Sequence, residues 1–197
     1  MTQQTGARGE GAPKGDKRER TRAKLIEVAA QVIGEKGYER VTLEEVARRA
    51  GMTRGAIYGN FKNRDDLILA VVTTRWQPIA PSWRPGASLK EQLRLLADAV
   101  VASVPARRTQ AVGAFSFQQY ALTHEELRAR LVETNIAIYR WAEHSVLQVM
   151  PESILPMPVD QFVKVLHALT EGLLYLRFLT PELITDEVIR AAFEALA

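Results

Sequence analysis

The sequence predicts an all-α protein of about nine helices. Three observations carry this. Apolar residues recur at three- and four-residue spacing through most of the chain. No segment alternates with the period of two that marks a strand. Ser, Thr and Asn at helix starts, with Gly and Pro at helix ends, cut the chain into helix-length pieces.

The 197 residues are 47% hydrophobic and 25% charged. That is an ordinary globular mixture and argues against wholesale disorder. There is no cysteine. A disulfide scaffold, a thiolate zinc site and a cysteine nucleophile are therefore excluded together. The longest strictly apolar run is Leu67 to Val72, far short of a membrane span. The start of the chain is polar and Gly-rich, with no apolar signal-peptide core. The expectation is a cytoplasmic protein with no membrane partner. Net charge is only +3, but residues 1–64 hold 14 basic and 8 acidic side chains, against 12 and 15 in the rest. A basic end on a slightly acidic chain suggests a polyanionic partner there.

Residues 1–20 read as a flexible basic arm, since the first 17 have four glycines and no large apolar residue beyond Met1. From Thr21 a stripe begins: Leu25, Ile26, Ala29, Ala30, Val32 and Ile33 define one helix, stopped at Gly37. Thr42 and Glu45 have the S/T-x-x-E spacing of a capping box, with Val41 and Val46 at the staple positions. The second helix starts there and ends at Gly51. Thr53 caps a third helix, with Ile57 and Phe61 facing inward and Arg54, Gly55, Tyr58 and Gly59 left outward. Two short helices joined by a Gly-containing turn fit a helix-turn-helix. Small and basic residues at the start of its second helix suit a major groove. Asn63 caps a fourth helix, and Asp65 and Asp66 favour its dipole.

Pro78, Pro81, Pro85 and Gly86 make residues 78–87 a loop. Five helical segments follow. Ser88 caps one that ends near Pro105. Another spans about 107–122, and Thr123 caps a long one ending near Met150. The stripe Phe162, Leu166, Leu169, Leu173 and Leu176 stops at Pro181, and Thr185 caps the last. Phe115, Phe117, Gln118, Tyr120, Tyr139, Trp141 and His144 form the densest aromatic and polar group. They either line an apolar pocket for a flat or hydrophobic ligand or are plain core.

The stretch TLEEVARRAGMTRGAIYGNFKNRDDL, Thr42 to Leu67, carries a resemblance. Its Ala-x-x-Ala-Gly turn at Ala47, Ala50 and Gly51, then Gly-Ala-Ile-Tyr, then Asn-Phe-Lys-Asn-Arg, is similar to the DNA-binding domain of the TetR family of bacterial transcriptional repressors. The resemblance implies a three-helix DNA-binding domain at 21–66 and an effector-binding and dimerisation domain at 67–197. It implies phosphate contact by Thr42, Tyr58, Asn60, Lys62 and Arg64. Thr53, Arg54, Gly55 and Ala56 would face base edges, Arg54 being the side chain suited to guanine. The sequence departs from the family pattern at Gly59 and Asn60. The last two helices would build a homodimer through Phe162, Leu166, Ala168, Leu169, Gly172, Leu173, Leu176, Ile189 and Phe193. The small pair Ala168 and Gly172 would let a neighbouring helix approach closely.

The implied function is a ligand-responsive repressor. It would bind a palindromic double-stranded DNA operator as a homodimer, and an apolar or aromatic small molecule would release it. No catalytic motif and no cofactor site stands out. The three histidines, His124, His144 and His167, offer no metal pair beyond His167 with Glu171. Three other readings differ in what they require. A helical enzyme with an accessory DNA module needs convergent titratable groups. A non-specific DNA-packaging protein needs equal affinity for scrambled DNA. An activator differs only in the sense of regulation.

Overall fold

The computed structural model describes residues 14–75 and 78–197. Nine α-helices and two short 3₁₀ turns, with no strand, make up the regular structure among the described residues. They form two compact units that divide after Arg75.

In the first unit, α1 spans Lys14–Lys36, α2 Leu43–Arg49, α3 Arg54–Tyr58 and α4 Arg64–Arg75. The sequence-based start of α1 at Thr21 is too late. The apolar stripe begins only at Leu25, so the preceding turns carry no burial signal. They are helical because Lys, Arg, Glu and Ala favour helix and because the turns have tertiary partners. Arg18 donates to the Gly59 carbonyl at 3.3 Å and Arg22 to the Asn60 carbonyl at 3.5 Å. The arm expected at 1–20 is thus helix from Lys14, and residues 1–13 lie outside the described residues. The expected domain division at 66/67 falls inside α4, which packs on α1 within the first unit.

Leu25, Ala29, Val32, Val46, Ile57, Phe61, Leu67 and Ile68 are sealed in one core. Thr42 caps α2 by accepting from the Glu45 N–H at 3.2 Å. The reciprocal half of the capping box does not form, because the Glu45 carboxylate is taken by Lys36 at 2.6 Å and Arg49 at 3.1 Å. Thr53 caps α3 through the Ala56 N–H at 3.2 Å, and Asn63 caps α4 through the Asp66 N–H at 2.8 Å. Between α2 and α3, Gly51 donates to the Arg48 carbonyl at 3.2 Å and Met52 to the Ala47 carbonyl at 2.9 Å. This is a Schellman ending, which requires a left-handed residue, and Gly51 has φ +68°.

The second unit contains α5 Leu89–Arg108, α6 Ala111–Leu122, α7 Glu125–Leu147, α8 Val159–Leu179 and α9 Asp186–Glu194. Helix α5 opens with a complete capping box of Ser88 and Glu91. It continues through Pro105 rather than stopping there. Proline removes one backbone donor but holds a helical φ, and Pro105 sits at the exposed end of the helix. Helix α6 begins at Ala111 rather than 107. The residue before α7 is His124, and the Thr123 hydroxyl instead closes α6 on the Tyr120 carbonyl at 3.0 Å. Leu93, Ala97 and Val100 of α5 pack with Phe162, Leu173 and Leu174 of α8 and Ile189 and Phe193 of α9. Arg190–Asp98 at 2.8 Å and Arg94–Glu194 at 3.2 Å flank the α5–α9 seam. Buried Gln92 pins the preceding loop, accepting from the Arg84 N–H at 3.1 Å and donating to the Arg84 carbonyl.

A methyl added at Gly51 would meet open space, so the cost of Gly51→Ala is backbone strain alone. The expected loss is about 1–2 kcal/mol, with a smaller loss for Gly51→Asn, which tolerates that conformation better. Urea unfolding of the full chain measures both.

Candidate nucleic-acid interface and apolar cavity

Helix α3 is held by its inward residues and offered by its outward ones. Ile57 is wholly buried and Phe61 nearly so, which turns Thr53, Arg54, Gly55 and Tyr58 to solvent. Ala56 is half-buried on the same helix. Thr42 is exposed at the start of α2. The hydroxyls of Thr42 and Thr53 accept a backbone N–H and keep their own protons for another acceptor. Lys62 is exposed, and its backbone N–H is held by the Asp66 carboxylate at 3.0 Å.

Two residues expected at phosphates bond backbone carbonyls of their own chain. Asn60 donates to the Ala56 carbonyl at 2.8 Å, and its Oδ1 is buried with no partner among the described residues. Its side chain finishes α3 rather than facing outward. Arg64 donates to the Glu39 carbonyl at 3.0 Å, tying the start of α4 to the turn after α1. A carboxamide beside a helix end, or an arginine beside a free carbonyl, finds its nearest acceptor within its own chain.

Glu44 is the residue that sequence reasoning passed over. Its Oε1 accepts from Arg54 at 3.0 Å and from the Tyr58 hydroxyl at 2.8 Å. Tyr58, the backbone N–H of Glu44 and Arg54 hold its carboxyl below the usual carboxylate range. An acidic side chain on the first turn of α2 therefore grips both Arg54 and Tyr58 of α3. An acid in a first turn normally signals only dipole stabilisation, which is why the pattern gave no warning.

The second unit contains a cavity of about 180 Å³. An apolar cavity of ~150 Å³ is enough to hold a benzene-sized guest. Helices α5, α7 and α8 and the loop before α5 line it with Ile79, Trp83, Leu96, Ile138, Trp141, Val163 and Leu166. Its polar lining includes Arg107, Asn135, Tyr139, His167 and Glu171. Of the expected lining residues, the cavity has Tyr139 and Trp141. Phe117 and Tyr120 are buried packing residues of α6 instead, and Tyr120 stacks on His124 at 3.7 Å. Phe115 meets the Tyr175 ring edge-on at 4.7 Å, while Gln118 and His144 face solvent.

The residues expected at a dimer interface divide by face. Phe162, Ile189 and Phe193 are wholly buried in the protomer's own core. Leu166 and Leu173 join that core, and Leu166 also lines the cavity. None of these five presents a surface to a partner. One apolar stripe cannot distinguish a core from an interface when both fall on a single helix. Ala168, Gly172 and Leu176 are exposed beside Tyr175 and Leu179, and Leu169 is half-buried.

Residues 25–71 match the family model for bacterial regulatory proteins of the tetR family. The HTH-type transcriptional regulator SrpR of Pseudomonas putida is 24% identical over 159 residues, which is 80% of this chain and 75% of that protein. The fold is also similar to NalD, the secondary repressor of the MexAB-OprM multidrug efflux pump in Pseudomonas aeruginosa. The TM-score there is 0.58, with 23% identity, covering 89% of this chain and 93% of that one. SmeT in complex with triclosan matches with a TM-score of 0.59 and 21% identity, over 89% of this chain and 90% of that one. No helix among the described residues is long and apolar enough to cross a membrane. Residues 25–71, with their capped helix-turn-helix, are thus similar to the DNA-binding domain of bacterial regulatory proteins of the tetR family, and the relative SrpR is a regulator of transcription.

Proposed function

We propose that this protein is a ligand-responsive repressor. Two copies bind a palindromic operator, and a small molecule held in the cavity of the second unit releases them. The observation that carries this reading is the pairing, in one chain, of a solvent-facing α3 with an apolar cavity that has polar residues in its lining. NalD is a repressor and SmeT was solved with triclosan bound, which supports both halves.

Each element has a physical role in the reading. Thr53, Arg54 and Gly55 present little bulk and one guanidinium to base edges. Thr42, Tyr58 and Lys62 contact phosphates. Homodimerisation uses the outward side of α8, where Ala168 and Gly172 allow close approach and Tyr175, Leu176 and Leu179 supply apolar area. Two copies of α3 separated by ~34–36 Å meet successive major grooves. A ligand acts only through its different affinity for the DNA-competent and DNA-incompetent states.

Gel shifts with a genomic promoter fragment and a scrambled competitor, at one salt concentration, test the reading. A preference of at least about 10³-fold is expected, and equal affinity for both DNAs would sink it. Arg54→Ala should reduce the preference by roughly 10- to 100-fold and leave scrambled-DNA binding nearly unchanged.

Glu44 is proposed to hold Arg54 and Tyr58 off the phosphates until a matching base competes for the guanidinium. Glu44→Ala should therefore tighten binding to scrambled DNA. It should also steepen the dependence of log affinity on log salt by about one. Fluorescence anisotropy across a salt series checks both, and an unchanged slope contradicts this role.

A further inference from the structure

Among the polar residues that line the cavity, four come together from three helices. Arg107 comes from α5, Tyr139 from α7, and His167 and Glu171 from α8. The Tyr139 hydroxyl and His167 Nδ1 are 2.8 Å apart. On the other side of the ring, His167 Nε2 stands 4.0 Å from Glu171 Oε1. That gap is too long for a hydrogen bond. It is short enough for one oxygen atom seated between the two groups to bond both.

Charge narrows what that oxygen can belong to. Burial, and then Arg107, push His167 below its ordinary pKa, so the ring is neutral near pH 7. Burial raises Glu171 while Arg107 opposes the rise, and burial raises Tyr139. Arg107 is the basic member of this group and Glu171 the acidic one, beside Tyr139 and His167. A ligand carboxylate would bring a second anion against Glu171 in a partly desolvated site, and a ligand ammonium would bring a second cation against Arg107. A bare hydrocarbon would leave the His167–Glu171 gap without a partner. A hydroxyl adds no charge, and it both donates and accepts. With the Tyr139 hydroxyl donating to Nδ1, the ring proton is on Nε2, and a ligand hydroxyl bridges the gap by accepting from Nε2 and donating to Glu171.

Given that the cavity is the effector site, we propose that its ligand is a neutral ring compound with one hydroxyl. The hydroxyl bridges His167 Nε2 and Glu171, and the ring lies against Trp83, Trp141 and Leu166. The proposal rests on the reading of the cavity given above and adds to it the chemical class of the ligand.

Calorimetric titration of the 197-residue chain with four probes of one ring system tests it. The probes are 2-naphthol, naphthalene, 2-naphthoate and 2-naphthylmethylammonium at pH 7.5. The naphthol is expected to bind at least 10-fold more tightly than each of the others. Glu171→Gln removes the carboxylate and leaves Arg107, so the naphthoate should gain at least 10-fold relative to the naphthol. If the variant does not fold, the wild-type comparison decides alone. Equal affinity for all four probes, or tightest binding of either charged one, would overturn the hydroxyl assignment and leave the cavity as a ligand site. Binding of none of them would remove both.

Discussion

A helix of five residues fixes more torsions than it closes hydrogen bonds, so α3 does not hold itself. The first unit is organised around that deficit. Thr53 satisfies one end, and the Schellman turn at Gly51 aims the chain into it. Ile57 and Phe61 sink its inner side into the core. At the other end, Arg18 and Arg22 reach across from α1 to the carbonyls of Gly59 and Asn60, where a cation also suits the helix dipole. The Arg22 guanidinium lies 4.5 Å from the centre of the Phe61 ring, so one side chain closes the helix end and covers its anchor. The rigid placement of α3 comes from these neighbours rather than from the helix itself.

The same economy explains the acid on this face. A basic surface attracts any duplex, and phosphate contacts raise affinity without choosing a sequence. Glu44 lies between Arg54 and Tyr58 and engages both. In the proposed reading it costs the protein some general attraction to DNA. It also gives a correct base pair something to displace. A solvent-exposed ion pair is weak enough to be exchanged in this way.

The segment from Thr42 to Leu67 was legible because its determinants are local. Cap hydroxyls, a turn glycine and two anchors lie within a few residues of the helices they shape. The first three turns of α1 were not legible, because their partners at Gly59 and Asn60 are about forty positions away. Asn60 and Arg64 looked like phosphate ligands by position, but nearer backbone carbonyls hold them. The cavity was legible only at Tyr139 and Trp141. Aromatic density marks Phe117 and Tyr120 as readily as a pocket wall, and Trp83, Arg107, His167 and Glu171 converge only when α5, α7, α8 and the preceding loop pack. On α8, hydrophobic spacing identified the buried side, while the outward side is marked by the small residues Ala168 and Gly172.

The proposed function depends on two copies of α3 reading one operator. Selection of binding sites from a pool of random duplexes, using the 197-residue chain, tests this most directly. The expected result is an enriched sequence with two-fold symmetry, half-sites centred about 10–10.5 base pairs apart or a whole multiple of that, and a guanine whose enrichment disappears with Arg54→Ala. Enrichment of an asymmetric single site, or of no sequence at all, would contradict it.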